Sequence, residues 1–381
     1  MPGLTQKQKS LQSTARRLSD AILRPHADEV DRSRSFPVEN FKALGDAGLL
    51  GLTVPAQYGG KGGDTLSLAL VAEELGRGCA STAMCWAMHA VGTALISGRA
   101  TPEQARRWLP AAASGAALAT LAFSESGAGV NITRPEITAR RASGGYRLTG
   151  RKAFVTSGGH ATLYPVLVNS PGGNGLSMLI VTPDLPGVRF DGQWAGIGMA
   201  GNSSIVMVLD DVLVPEAGLL GREGDGEELL FKVSRPYFYI GLSAVNVGIA
   251  QAAFDAALQH ALARRNNTER SLVEIPAVQA HLAEMSVAVE SARHLVREAA
   301  RAAAANEMGA GALLMQAKLG ATEAARAVAQ RAMQVGGGVA YSRALPIERH
   351  WRDAQAGVVM SPANDPLKEA LGRVLAGLQD G

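Results

Sequence analysis

The sequence predicts a mainly α-helical protein with a central antiparallel β domain. Apolar residues recur at helical spacing up to about residue 120, and again in long Ala-, Leu- and Arg-rich segments toward the end of the chain. Between them lie short β-branched runs, separated by turns rich in Gly, Pro and Asn. A period near 3.6 indicates helix, and alternation indicates strand. We therefore expect a helical domain at 1–120, a barrel-like β domain at 121–225 and a helical bundle at 226–381.

In the first domain, helices are predicted from apolar residues at helical spacing and from residues typical of helix N-termini. In "LQSTARRLSDAILRP" one face carries Leu11, Ala15, Leu18, Ile22 and Leu23, and the proline bends or interrupts the helix. "VENFKALGDAGLL" predicts a helix that stops at a glycine, and "LSLALVAEELGRGC" and "STAMCWAMHAVGTALISG" predict two apolar helices. "TPEQARRW" begins with Thr, Pro and a Gln in the capping-box position, so a further helix starts there.

The middle and last domains follow from the same two patterns. Strands are predicted by "PEITARRA", "GYRLTGRKAFVT", "LYPVLVNS", "LSMLIVTP", "GVRFDG" and "SIVMVLDDVLVP". After them, helical spacing continues over 235–264, 272–306, 309–337 and 364–378 with few turn signals, which is typical of a bundle of long helices.

Composition and motif searches exclude several classes of protein. In 381 residues, 37 basic and 34 acidic side chains leave a net charge of +3, which gives no reason to expect nucleic-acid or membrane binding. The two cysteines, Cys79 and Cys85, are too few for a disulfide scaffold, and no signal-length apolar segment begins the chain. We expect a cytoplasmic protein. Metal-binding, P-loop and Rossmann motifs are absent from the sequence, so no metal site is predicted.

Three glycine-rich turns are the candidate functional motifs. They are "LAFSESGAGVNITRPE" before the β domain, "GRKAFVTSGGHA" inside it, and "QVGGGVAYSRALPIERHWRDA" between two late helices. Glycines let a ligand approach backbone N–H groups, which bind phosphate near helix ends. The hydroxyls of Ser124 and Thr156 are suited to hydrogen bonding at the edge of a ring.

These motifs, in this order, resemble the acyl-CoA dehydrogenase family. "LAFSESGAG" is similar to the family's T-E-P-x-A-G-S, "GRKAFVTSGG" to G-x-K-x-W-I-T-N-G, and the third turn to Q-x-x-G-G-x-G-Y-x-x-x-x-P-x-E-R-x-x-R-D-A. The resemblance runs from about residue 10 to 379. It implies a four-helix C-terminal domain, a bound FAD, an acyl thioester substrate carried on CoA or a carrier protein, and a homo-oligomer built as a dimer of dimers.

The resemblance also assigns residues. The flavin ring is matched to Leu121, Phe123, Ser124, Phe154 and Thr156. Contacts with the neighbouring subunit's FAD are matched to Arg264, Gln334, Gly337 and Gly338. The substrate site is matched to Arg235, together with Val130 and Ser234 at positions where this chain departs from the family.

The departures concern the catalytic base first of all. In the family a glutamate removes the substrate α-proton, and counting from Arg352 places Ser361 at its position. Some members carry the base at a second position, which is Ser234 in this chain. His89, on an apolar helix that lines the family's acyl site, is a weak substitute and is more simply a core histidine. Arg352 and Asp353 are interpreted as a structural ion pair.

Further departures concern the cofactor. The family's R-x-x-F-G is "RRNNTER" here, a usual glutamine is Pro276, and the serine after G-A-G is Val130. Glu125 is interpreted as a loop carboxylate near the cofactor. Weaker retention of FAD than is usual in the family is therefore predicted.

Three functions remain open from the sequence. The first is an acyl thioester dehydrogenase with an unassigned base, whose electron partner would be an electron-transfer flavoprotein. The second is a flavin monooxygenase of the same fold, supplied by a flavin reductase, because such enzymes need no α-proton base. The third is a non-catalytic subunit that completes another chain's FAD site.

Overall fold

In the computed structural model, residues 3–127, 132–265, 267 and 269–378 are described. The N-terminal region is helical, as predicted: α1 Gln6–Leu18, α2 Arg24–Ser33, α3 Val38–Asp46, α4 Thr65–Gly78, α5 Ala80–Arg99 and α6 Pro102–Ser114. A π-helical turn at Ser19–Leu23 joins α1 to α2. The predicted capping box is confirmed, since the Thr101 side chain accepts from the Gln104 N–H while the Gln104 side chain binds the Thr101 N–H.

The central region forms two antiparallel sheets. One contains β1 Arg140–Ala142, β2 Gly145–Val155, β6 Ile205–Pro215 and β5 Val188–Asp191 in that order, and the other contains β3 Tyr164–Asn169, β4 Leu176–Val181 and β7 Leu219–Leu220. Every pairing between these strands is antiparallel. Their inward residues share one apolar core, which includes Leu148, Tyr164 and Leu209. The alternation in the sequence therefore predicted the type of sheet correctly.

The described part of the C-terminal region is a helical bundle that contains two helices beyond the four predicted. A short helix α7 Gly226–Glu228 and a π-helical turn Leu229–Ser234 lead into α8 Arg235–Ala263, followed by α9 Pro276–Ala304, α10 Ala310–Ala340, α11 Ile347–Val359 and α12 Asn364–Leu375. The two additional helices are α7 and α11, and the longer of these two is α11, which contains the last residues of the third glycine-rich motif. Since α8 to α10 are joined by short loops, α8 and α10 run in the same direction, antiparallel to α9.

The stretch Gly226–Ala263 is long and apolar enough to cross a membrane by length and composition, but 78% of its most apolar window is buried inside the protein. It packs against α4, α5, α9 and α10. This burial is typical of the central helix of a globular core.

The crossing of α4 and α8 depends on two glycines. A Cβ on Gly248 would lie 2.7 Å from the Arg77 backbone nitrogen, and one on Gly76 would lie 2.6 Å from the Val245 carbonyl oxygen. Backbone atoms cannot rotate away as a flexible side chain would, so the helices would have to separate. We expect Gly248→Ala to lower the free energy of unfolding by about 1–3 kcal/mol, measured by denaturant titration.

The matched control is Gly372→Ala, because that helical glycine on α12 has no atom within 4 Å of an added Cβ. There the alanine should stabilise the protein by up to about 1 kcal/mol. Equal effects from the two substitutions would contradict the close crossing.

Candidate functional site

The first two glycine-rich motifs meet in space. The Thr120 hydroxyl donates to the Thr156 carbonyl oxygen at 2.7 Å, and the Ala153 N–H donates to the Ser124 carbonyl oxygen at 2.8 Å. These bonds hold residues 120–124 beside the end of β2. Two segments that are about thirty residues apart in sequence therefore form one surface.

The orientation of segment 120–124 leaves one edge available. On one side the N–H groups of Thr120 and Ala122 donate to the carbonyl oxygens of Leu163 and Pro165, both at 3.0 Å. In an extended chain, successive N–H groups point to opposite sides. The N–H groups of Leu121 and Phe123 therefore point away from β3, which is the arrangement required if they are to bind a ring edge.

Phe154 and Thr156 complete this surface. Phe154 has a positive φ of 52° and its residue surface is 70% exposed, an unusual state for a phenylalanine. Thr156 is recessed beside it, with its hydroxyl 3.2 Å from that of Ser204. An exposed aromatic face next to recessed hydroxyls fits a planar, polar-edged ring such as the flavin of FAD. Ser204 was missed by the sequence because it lies in no glycine-rich motif.

A buried ion pair lies directly behind this surface. Lys152 is fully buried, and its ammonium group is 2.6 Å from a carboxylate oxygen of Glu125. Burial lowers the pKa of Lys152, and the facing carboxylate opposes that shift. Glu125 was interpreted as a loop carboxylate near the cofactor; the structure shows it buried and paired behind the site. Lys152 was not singled out, although it is the lysine of the second motif.

The third motif lies elsewhere in this chain. Gln334, Gly337 and Gly338 are exposed near the C-terminal end of α10, and Arg264 is exposed just after α8. Because α8 and α10 are parallel, these residues share one end of the bundle. Gly337 has φ 57° and ψ −146°, which interrupts the helix. Their assignment to a neighbour's FAD stays a prediction.

The residues matched to the substrate site lie toward the opposite end of the bundle. Ser234 is buried at the end of the π-helical turn, and the Arg235 guanidinium carbon lies 4.1 Å from the centre of the Phe231 ring. Ser361 is exposed in the link between α11 and α12. Ser361 follows the C-terminal end of α11, and Ser234 precedes the N-terminal end of α8. Since α11 runs antiparallel to α8, both serines lie at the same end of the bundle. Val130 lies outside the described residues.

His89 is a core histidine and is unsuited to act as the base. It is 1% exposed; its Nδ1 accepts from the Ala119 N–H at 3.0 Å, and its Nε2 lies 3.0 Å from the Leu50 carbonyl oxygen. With Nδ1 accepting, the proton is on Nε2 and both nitrogens are engaged. Burial lowers the pKa of His89 to about 4. The suggestion that it substitutes for the glutamate is therefore corrected.

The lowered pKa of His89 predicts that the folded protein loses stability at acidic pH. Because the pKa of His89 is lower in the folded protein than in the unfolded chain, the unfolded chain binds more protons, and stability is lost as pH falls from 6.5 toward 4. Between neutral pH and about pH 5 the loss from this group is about 2 kcal/mol. We expect His89→Gln to remove that part of the pH dependence, measured by urea unfolding at several pH values.

The control for that measurement is His294→Gln, on the exposed side of α9. This substitution should leave the change in the free energy of unfolding between neutral pH and about pH 5 as it is in the wild type. A His89→Gln protein that loses as much stability on acidification as the wild type would contradict the buried, neutral histidine.

Arg352 and Asp353 are structural, but they do not pair with each other. Arg352 forms two 2.7 Å hydrogen bonds to Asp31 on α2, and Asp353 accepts from the Met199 N–H at 2.6 Å. Burial raises the pKa of Asp353 to about 6. The interpretation as a mutual ion pair is wrong, because adjacent residues on α11 point to different partners. Together they fasten α11 to α2 and to the loop before β6.

The comparisons with known proteins agree with this geometry. Residues 5–116, 120–212 and 238–375 match the N-terminal, middle and C-terminal domains of acyl-CoA dehydrogenase. The chain belongs to the acyl-CoA dehydrogenase family. It is 33% identical to the mitochondrial short-chain specific acyl-CoA dehydrogenase of Bos taurus, over 92% of this chain and 86% of that protein. It is 31% identical to acryloyl-CoA reductase (NADH) of Anaerotignum propionicum, over 97% and 94%.

The solved structures extend the same likeness. Butyryl-CoA dehydrogenase from Megasphaera elsdenii has a TM-score of 0.93 and 28% identity, covering 98% of this chain and 99% of that one. This acyl-CoA dehydrogenase-like protein is accordingly a flavin oxidoreductase with FAD as its cofactor. Its candidate ring surface, built from segment 120–124, Phe154 and Thr156, fits that cofactor. Among the described residues, no cluster of three or more His, Cys, Asp or Glu side chains is arranged to hold a metal ion.

Proposed function

We propose that this protein is a FAD-dependent oxidoreductase acting on an acyl thioester, and that it works without the family's α-proton base. The observation that carries the proposal is the surface formed by segment 120–124, Phe154 and Thr156, together with serine at both base positions, Ser361 and Ser234. FAD, when bound, supplies the acceptor for a hydride. The relatives named for acyl-CoA reactions support the thioester as substrate.

The chemistry explains why the missing carboxylate matters. An α-proton of a thioester is weakly acidic, and desaturation needs a base positioned on it in the transition state. A carboxylate desolvated in the acyl site can have its pKa raised toward neutrality, whereas an unassisted serine hydroxyl has no such capacity. Ser361 can hydrogen-bond a substrate oxygen, but it cannot hold a proton taken from carbon.

Three carboxylates in the chain on either side of Ser361 have other partners. Glu348 binds the Arg352 guanidinium at 2.7 Å, and Asp353 is committed to the Met199 N–H. Asp365 pairs with Lys368 at 3.3 Å, and its own side chain is 93% exposed. None of these three is placed to replace a carboxylate at position 361, which supports slow desaturation in which the α-proton would pass to solvent water rather than to a protein carboxylate.

The test uses the purified full-length protein and separates three functions. Visible flavin absorbance per chain shows whether FAD is retained. Slow anaerobic bleaching by a short acyl-CoA, or by the same acyl group on a carrier protein, supports the proposal. Bleaching at the rates usual in the family contradicts the missing base. Bleaching only by reduced flavin or a reductase indicates monooxygenase chemistry, and a colourless protein that still restores another chain's FAD site indicates a non-catalytic subunit.

The assembly and cellular setting follow the same proposal. We propose a homo-oligomer in which Arg264 and the Gln334–Gly338 turn reach the neighbouring subunit's FAD, and an electron-transfer flavoprotein as the electron partner. A cytoplasmic location is in keeping with the buried helix α8 and with two cysteines that are both free.

A further inference from the structure

We propose that Glu125 and Lys152 are positioning residues for the flavin: their buried ion pair holds the ring-binding segment and keeps the region behind the ring electrically neutral. The inference rests on the FAD site described above and deepens it. The pair was not assigned by the motif comparison, which placed Glu125 in a loop and passed over Lys152.

The ammonium group of Lys152 is saturated with acceptors. It donates to Glu125 Oε1 at 2.6 Å, to the Leu167 carbonyl oxygen at 2.5 Å and to the Phe123 carbonyl oxygen at 3.2 Å. An ammonium group has three N–H donors, and here all three are used. Lys152 therefore joins β2, β3 and the segment that carries the predicted ring contacts.

Glu125 holds the other side of that segment. Its carboxylate accepts from the backbone N–H of Glu136 and, at 3.5 Å, from that of Ile137. The carboxylate thus connects the residue after Ser124 to the chain that returns toward β1. Since Lys152 is next to Ala153, whose N–H binds the Ser124 carbonyl oxygen, the pair and the backbone ladder act on the same few residues.

Both charges are removed from solvent. The side chain of Lys152 is 0% exposed and that of Glu125 is 1% exposed. In such an environment the loss of one partner leaves an uncompensated charge that water screens poorly. Phe154, whose exposed face is matched to the ring, follows Lys152 by two residues, so the uncompensated charge would act on the ring at short range.

This arrangement predicts opposite effects from the two halves of the pair. Glu125→Gln keeps the size of the side chain and leaves the positive charge of Lys152 behind the ring. Because the ring gains electrons on reduction, that charge makes reduction easier. Lys152→Met removes the positive charge and leaves the carboxylate, which makes reduction harder. The double variant is neutral again and should behave nearly as the wild type.

The experiment is a measurement of the midpoint potential of protein-bound FAD, together with the FAD content, with the wild type and the double variant measured at both pH values used. Glu125→Gln is measured at mildly acidic pH, so that the buried ammonium of Lys152 keeps its proton without its carboxylate partner, and Lys152→Met is measured at alkaline pH, so that the carboxylate of Glu125 stays ionised. We expect a positive shift for Glu125→Gln, a negative shift for Lys152→Met and almost none for the double variant. Shifts of the same sign in both single variants, or none in either, would overturn the proposal.

Loss of cofactor is also informative. If both single variants release FAD and the double variant retains it, the charge balance is supported; if all three release it, the pair is only structural and the proposal is overturned. A wild-type protein without FAD would instead refute the proposed function, so the two failures are distinguishable.

Discussion

Replacing Ser361 by glutamate should raise the rate of acyl-CoA dehydrogenation by about 10²–10⁴-fold, which is the usual contribution of a positioned base. Ser361 lies in the exposed link between α11 and α12, so a longer side chain meets no packed core there. The rate is measured as anaerobic bleaching of the bound flavin after mixing with a short acyl-CoA. Introducing a carboxylate is expected to restore the one group that the site lacks.

The control is Ser361→Gln, which has nearly the shape of glutamate but cannot accept a proton. It should leave the rate at the wild-type level. If glutamate and glutamine have the same effect, the change acts through the shape of the loop. If glutamate has no effect while FAD is bound normally, the site serves other chemistry than α-proton removal.

Replacing Gly337 by valine should remove most of the bound FAD. The backbone there has φ 57° and ψ −146°, a region that is essentially restricted to glycine, and a β-branched residue costs of the order of 1–3 kcal/mol in it. The turn would change shape, and the backbone N–H groups predicted to bind the neighbour's FAD would move. Flavin absorbance per chain, read beside a thermal melt, measures the effect separately from unfolding.

Gly311→Ala is the control for this substitution, because it lies on the same helix near the opposite end and has no atom within 4 Å of an added Cβ. It should leave the flavin content unchanged. Full flavin content in Gly337→Val, with an unchanged assembly, would show that the turn does not hold the cofactor.

The fold was largely predictable because each domain has one dominant period. Helix α11 was missed for a physical reason. Residues at helical spacing on its buried face are Ile347, His350, Asp353, Ala354 and Gly357. Only two of them, Ile347 and Ala354, have apolar side chains. A search for apolar periodicity does not detect such a face. A search for spacing alone, with buried charge allowed, could have found it.

Part of the candidate site was predictable where motifs carry the chemistry. Glycine-rich turns and hydroxyls identified segment 120–124 and Thr156, and the structure joins them. Lys152 and Ser204 could not be selected, since their importance depends on distances between strands that one sequence does not contain. His89 was ambiguous for the same reason: only the Ala119 and Leu50 backbone partners show that its nitrogens are occupied. The domain boundaries and the contacts across a subunit interface stay predictions.

The absence of an α-proton base is tested most directly by hydrogen exchange at the substrate α-carbon. The holoprotein is incubated in D₂O with an acyl-CoA analogue that has sulfur in place of the β-carbon, so that hydride transfer is impossible and only proton removal is observed. Mass spectrometry then follows deuterium at the α-position. The wild type should exchange no faster than the free analogue, whereas Ser361→Glu should accelerate exchange. Equal, rapid exchange by both proteins would show that another group already serves as the base.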